Sequence, residues 1–121
     1  MSKEELLKEA KRLWDIRDFY SAHELLEDLW RLFPKEDRFS RNCCQGLIRL
    51  AIAYNHYLNG RLPSCLRVLK MVKEQLQPCG DCFMGVDIGY LLSFVERHIQ
   101  ALEEGKSIQD FPQLRLSGEV K

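Results

Sequence analysis

Apolar residues recur at three- and four-residue steps in five segments of the chain, the spacing of amphipathic helices. Leu6, Leu7, Ala10, Leu13 and Trp14 make one stripe, opened by Ser2 and Glu5 at capping-box spacing, which predicts a helix over 3–16. A second helix, over 18–33, carries Phe19, Ala22, Leu25, Leu26, Leu29 and Phe33, with Asp18 as its cap and Pro34 as its stop. The third, over 36–58, differs in kind. Its middle, CCQGLIRLAIAYNHY, has apolar or small side chains on every side of a helical wheel, so it must be covered all round. Asn59-Gly60 closes it. The fourth, over 63–77, carries Cys65, Leu69, Val72 and Leu76; the fifth, over 87–104, runs from Asp87 to a stop at Gly105. CGDCFMG between them reads as a loop.

The pattern therefore predicts an all-α fold: one helical domain over 1–105 and a polar tail over 106–121. Aligning Leu7 with Leu50 exposes a weak internal repeat, in which Ala10, Trp14, Ala22, Leu25 and Leu29 meet Ala53, Tyr57, Cys65, Val68 and Val72. Each half reads helix, short turn, helix, proline. That predicts a five-helix bundle of two stacked antiparallel hairpins, tetratricopeptide-like though with a period above the usual ~34 residues, and a covering C-terminal helix. Gly46 inside the long third helix costs about 1 kcal/mol relative to alanine and calls for a packing reason. The expected reason is close approach of the second and third helices.

Composition narrows the function classes. The 121 residues fit one domain, and 18 basic against 18 acidic residues give no net charge, so no nucleic-acid or anionic-membrane partner is indicated. No apolar run approaches the ~20 residues of a membrane span, and the first residues alternate charge with leucine, so the expectation is a cytoplasmic protein. Five cysteines form a poor disulfide framework. Cys43, Cys44 and Cys65 read as small buried hydrophobes. Cys79 and Cys82, in CGDC, supply two of the four ligands of a structural zinc, a weak metal or redox signal against a plain loop thiol pair.

Candidate chemistry lies on the second and third helices. His23, Glu27 and Trp30 line one edge of the second, with Glu24 turned further outward; Gln45, Arg49, Ile52 and His56 share a side of the third. If these sides face each other they form a polar seam. Its bland reading is a hydrogen-bonded network that fixes helix register. Its sharper reading is a divalent-metal site on His23, Glu27 and His56, with Glu24 as a base. HELLE is not the zincin motif, because Glu27 stands where the second histidine would be, and no P-loop, dinucleotide loop or nucleophile-base pairing is present. A binding or interaction module is thus the leading reading, with a metal-dependent enzyme or small-ligand-binding protein as the alternative. A peptide partner would suit stacked hairpins, and an apolar patch around Phe83, Met84 or Phe111 would suit a homodimer.

Two phrases carry a family likeness. FYSAHELLEDLW from Phe19 and QGLIRLAIAYNH from Gln45 are similar to the FF-x-AHE-x-LE-x-x-W and QGLIQ-x-A-x-A-x-x-H phrases of the uncharacterised family catalogued as domain of unknown function 309. GVD at Gly85 to Asp87 resembles that family's entry into its last helix, and Arg17 stands where the family usually has glycine. The resemblance implies an all-helical fold and brings no established activity.

Overall fold

The structure, a computed structural model, describes residues 1–116. Five helices form within two residues of the predicted ends: α1 (Lys3–Asp15), α2 (Phe19–Leu32), α3 (Arg38–Leu58), α4 (Leu62–Leu76) and α5 (Ile88–Glu103). The caps read from sequence act as caps. Ser2, Asp18 and Asp87 accept from the backbone N–H groups of Glu5, Ser21 and Tyr90, and Asp37 does the same for α3 from Ser40.

Three of the helices end in one kind of turn. The N–H groups of Arg17 and Asp18 bond back to the carbonyls of Trp14 and Leu13, those of Gly60 and Arg61 to Tyr57 and His56, and those of Gly105 and Lys106 to Leu102 and Ala101. Each such turn needs a left-handed residue, which is why glycine fits at Gly60 (φ 77°) and Gly105 (φ 72°). Arg17 adopts the same conformation (φ 68°) without glycine's freedom, and its guanidinium lies 4.9 Å from the centre of the Phe111 ring.

Consecutive helices pack as antiparallel neighbours. Lys3 at the start of α1 lies over Phe33 at the end of α2, and Asn42 at the start of α3 is hydrogen-bonded to Gln75 at the end of α4. The core runs through all five, with Trp14, Phe19, Leu26, Leu47, Tyr54, Leu69 and Leu91 fully buried. α3 is at its centre, burying nine residues on several faces, as its all-round apolar pattern requires. Gly46 is a close approach, but to α4 and not to α2: a Cβ there would lie 2.5 Å from Leu76 Cδ2. Leu76 is the last residue of α4, so the glycine admits the end of that helix.

The predicted loop is more ordered than its glycines suggested. After a 3-10 turn at Gln77–Cys79, β1 (Cys82–Phe83) and β2 (Val86–Asp87) pair antiparallel around Met84-Gly85, both of positive φ. Cys79 does not pair with Cys82. It is bonded to Cys43 of α3, so Cys43 is not the reduced hydrophobe expected of it, while Cys44 and Cys65 are free and buried and Cys82 is free and exposed. Helical periodicity could not signal the Cys43–Cys79 bond, because it depends on how α3 and α4 dock.

The polar tail is a packed strap as far as it is described. Ile108, Pro112 and Leu114 are buried, and the Trp14 indole donates to the Pro112 carbonyl. The Leu114 N–H donates to Asp15, and Leu116 bridges to Val86 beside the hairpin. Residues 117–121 of the predicted tail lie outside the described residues. Of the apolar patch around Phe83, Met84 and Phe111, Phe83 is buried and packs on Phe33, while Met84 and Phe111 are half-buried, the Phe111 ring packing on those of Phe19, Tyr54 and Tyr57. Among the described residues no helix is long and apolar enough to cross a membrane.

Candidate binding site

The register of α2 against α3 decides which seam residues meet. Cys44 Sγ donates to the Leu26 carbonyl at 3.5 Å, the Arg41 guanidinium lies 3.8 Å from the centre of the Trp30 ring, and the Phe19 and Tyr54 rings are 5.4 Å apart. Descending α2 therefore corresponds to ascending α3, and Phe19, the first residue of α2, is level with Tyr54. His56 lies beyond the start of α2. It sits instead at the α3–α4 turn, where Arg61 Nε donates to its Nδ1 at 2.9 Å. Burial, and then the positive charges of Arg61 and Arg67, lower its pKa.

His23 stays on α2. Its Nδ1 donates to the Tyr20 carbonyl, its Nε2 lies 3.5 Å from Glu27 Oε1, and its ring packs edge-on to Tyr20. Glu24 is exposed. His23, Glu27 and His56 are thus not assembled into a ligand set, and among the described residues no group of three or more His, Cys, Asp or Glu side chains is placed to hold a metal ion. The physical reason is the register just described: sharing an end of a hairpin is not sharing a level. Cys79, committed to Cys43, does not form a metal pair with Cys82 either.

Gln45 and Arg49 find their partner on α4. Gln75 accepts from Arg49 Nη1 at 2.7 Å, and its Nε2 lies 3.0 Å from Gln45 Oε1 and 3.2 Å from both the carbonyl and Oδ1 of Asn42. Asn42 Nδ2 returns a bond to the Gln75 carbonyl at 3.0 Å. One glutamine therefore braces three residues on successive turns of α3. Nothing in the local spacing of α4 marked Gln75 or, on α3, Asn42; the signal would have been two polar residues at the level of Gly46, where the helices come closest.

Outside this brace two clefts adjoin along α2 and α3. One, of about 230 Å³, is lined by Glu27, Trp30, Gln45, Ile48, Arg49 and Ile52. The other, of about 250 Å³, is lined by Trp30, Lys35, Arg38, Arg41, Asn42 and Gln45. Trp30 and Gln45 belong to both. Four of the residues read as seam from sequence, namely Glu27, Trp30, Gln45 and Arg49, therefore do converge, on a surface groove and not on a buried joint.

A second polar pair escaped the sequence reading. The Tyr54 hydroxyl lies 2.8 Å from His98 Nδ1, both side chains being buried. His98 Nε2 lies 3.7 Å from Asp110 Oδ1 on the strap and has no hydrogen-bond partner among the described residues. A hydroxyl donating to Nδ1 leaves the proton on Nε2, facing the carboxylate. Burial lowers the His98 pKa, against the opposing pull of Asp110, and burial raises that of Tyr54 well above the usual tyrosine value. His98 is on the apolar stripe of α5, where a lone histidine gives no separate signal.

A small all-α protein of antiparallel neighbouring helices, braced by a polar cluster beside an open groove, is the class these features define. The chain belongs to the family described as Domain of unknown function (DUF309), whose pattern matches residues 7–68 and so includes the AHE and QGLI phrases of α2 and α3. It is similar to a relative from Aquifex aeolicus (strain VF5), itself described as "Uncharacterized protein", with 39% identity over 101 residues. That match covers 84% of this chain and 30% of the relative, so the chain spans less than a third of the relative's length. No solved structure matches the chain.

Proposed function

We propose that this protein is a binding module whose ligand lies in the groove between α2 and α3, and that its paired helices present that groove in the manner of stacked tetratricopeptide-type hairpins. The observation that carries the reading is the junction of two clefts at Trp30 and Gln45. An aromatic side chain flanked by polar groups that keep spare hydrogen-bond donors is what recognition sites are made of. Trp30 is only half-buried, whereas Trp14, the other tryptophan, is sealed in the core. The brace through Gln75 fixes Gln45 and Arg49 beforehand, so binding need not order them.

The test is a screen of short peptides and small molecules against isotope-labelled protein by nuclear magnetic resonance. Binders are expected to move the backbone signals of Trp30, Gln45, Ile48, Arg49 and Ile52 together. Binders whose shifts cluster elsewhere, on α5 or the strap, would overturn the reading.

A further inference from the structure

We infer that the ligand of this groove is an extended acidic peptide segment, its carboxylates lying at the Lys35, Arg38 and Arg41 end; the inference rests on the groove being the binding site, and deepens that reading. It follows from an imbalance of donors over acceptors. Although the chain as a whole is neutral, the cleft beyond Trp30 gathers Lys35, Arg38 and Arg41 with no carboxylate in its lining. Neither these three nor Arg49 are in an ion pair among the described residues. Arg41 and Arg49 each give one N–H to a neutral acceptor, the Phe33 carbonyl and Gln75, which leaves further guanidinium donors free. Gln45 uses its oxygen on Gln75, and its amide N–H groups have no acceptor among the described residues. Of the carboxylates in the same turn, Asp37 is directed at the N–H of Ser40, and Glu36 is exposed outside the cleft lining. Such a surface asks for an acceptor-rich, negatively charged partner.

Length and polarity favour a peptide over a compact anion. From Arg38 to Ile52 the groove follows α3 for about 21 Å at 1.5 Å per residue, the span of about six extended residues. An inorganic phosphate would fill one end. The far end changes character: Ile48 and Ile52 offer an apolar floor, and Glu27 would repel a second group of carboxylates. The segment that fits is therefore acidic at one end, aliphatic in the middle and neutral or basic at the other. Trp30 marks the changeover, its face already held by the Arg41 guanidinium.

The test titrates Trp30 fluorescence and backbone amide shifts with three probes: a capped peptide Asp-Glu-Asp-Leu-Val-Lys, its charge-reversed counterpart Lys-Arg-Lys-Leu-Val-Glu, and inorganic phosphate. The acidic peptide is expected to move signals along the whole groove and to weaken as salt is raised. It should bind at least tenfold more tightly than the other two, and the doubly substituted Lys35→Glu, Arg38→Glu protein should lose at least tenfold in affinity. Both side chains are exposed, and that variant is expected to keep its fold, which its amide spectrum checks directly. Equal or tighter binding of the charge-reversed peptide in the groove would overturn the ligand class while leaving the groove as the site. Phosphate matching the peptide, with shifts confined to Lys35, Arg38 and Arg41, would replace the peptide by a bare anion. Undiminished affinity in the double variant would overturn the placement of the carboxylates. If none of these probes binds but other peptides from the screen move Trp30 and Gln45, this inference fails alone; if nothing binds the groove, both fail.

Discussion

The two polar clusters along α3 are built to opposite ends. Asn42, Gln45, Arg49 and Gln75 are half-buried and bonded to one another, with the edge of the cluster open to the groove. Tyr54 and His98 are sealed in the interior, Tyr54 against Phe111 and His98 against Phe94, and one histidine nitrogen is left without a hydrogen-bond partner among the described residues. In the first, water can replace any lost partner, so a broken bond costs little and the residues are free to serve recognition. In the second no water substitutes, so the same kind of change is felt as stability. Chemistry of similar polarity thus takes different roles according to depth.

The largest expected effect sharpens the contrast from the side of the open cluster, because Cys43–Cys79 ties the start of α3 to the chain just after α4. The bond closes a separation of 36 residues, and loss of such a cross-link costs about 3 to 4 kcal/mol on the chain-entropy account. Cys79→Ala should lower the melting temperature, and the unsubstituted protein should melt equally early in reductant. Melting unaffected by reductant would show that the bond carries no stability.

Next in size is the sealed pair. Tyr54→Phe leaves His98 Nδ1 without its partner and should destabilise by about 1 to 3 kcal/mol; adding His98→Leu to it should recover much of that loss, since an apolar pair leaves nothing unsatisfied. A Tyr54→Phe protein that melts unchanged would show that the buried pair carries no stability.

The same pair should tilt stability with pH. The pKa of His98 is lower in the fold than its ordinary 6.5, with burial as the main cause. Between the two values the unfolded chain binds more protons than the folded one, so folding is favoured as pH rises through that window and weakened as it falls below 6.5. His56, half-buried and lowered first by burial and then by the charges of Arg61 and Arg67, adds in the same direction. Denaturant melts between pH 5 and 8, about one to two units on either side of the histidine value, should show the slope, and His98→Leu should flatten it. A slope unchanged in that variant would assign the pH dependence elsewhere.

The smallest effect belongs to the open brace. Gln75→Ala removes hydrogen bonds to three residues, yet these groups can turn to water, so a loss of about 1 kcal/mol is expected despite the number of bonds. A loss as large as that of Tyr54→Phe would mean the brace is as sealed as the inner pair.

How much of this was legible in the sequence depends on the range of the interaction. Helices, caps and turns are local, and the stripes from Leu6 to Leu102, with Asp18, Asp87 and Gly60, placed them within two residues. Glu27, Trp30, Gln45 and Arg49 line one cleft because helical spacing puts each pair on one side of its own helix. His56 was misplaced because spacing says which side a residue faces but not how far two helices slide past each other. Gly46 announced a close approach without saying to which neighbour. Gln75, His98 and the Cys43–Cys79 bond were hidden for a further reason: each joins elements distant in sequence, Gln75, His98 and Cys43 do not depart from the pattern of their own helices, and Cys79 lies in a segment with no period at all. The strap was hidden by composition, since Ile108, Pro112 and Leu114 stand among polar residues with no period to betray their burial.

The central claim is that the open groove recognises and the sealed pair stabilises, and one paired measurement addresses it: melting temperature and affinity for the acidic peptide, taken on the Lys35→Glu, Arg38→Glu protein and on Tyr54→Phe. A crossing is expected, in which the first loses at least tenfold in affinity at an unchanged melting temperature, and the second melts earlier with its affinity intact. The contrary result, affinity lost in Tyr54→Phe and kept in the groove variant, would contradict it.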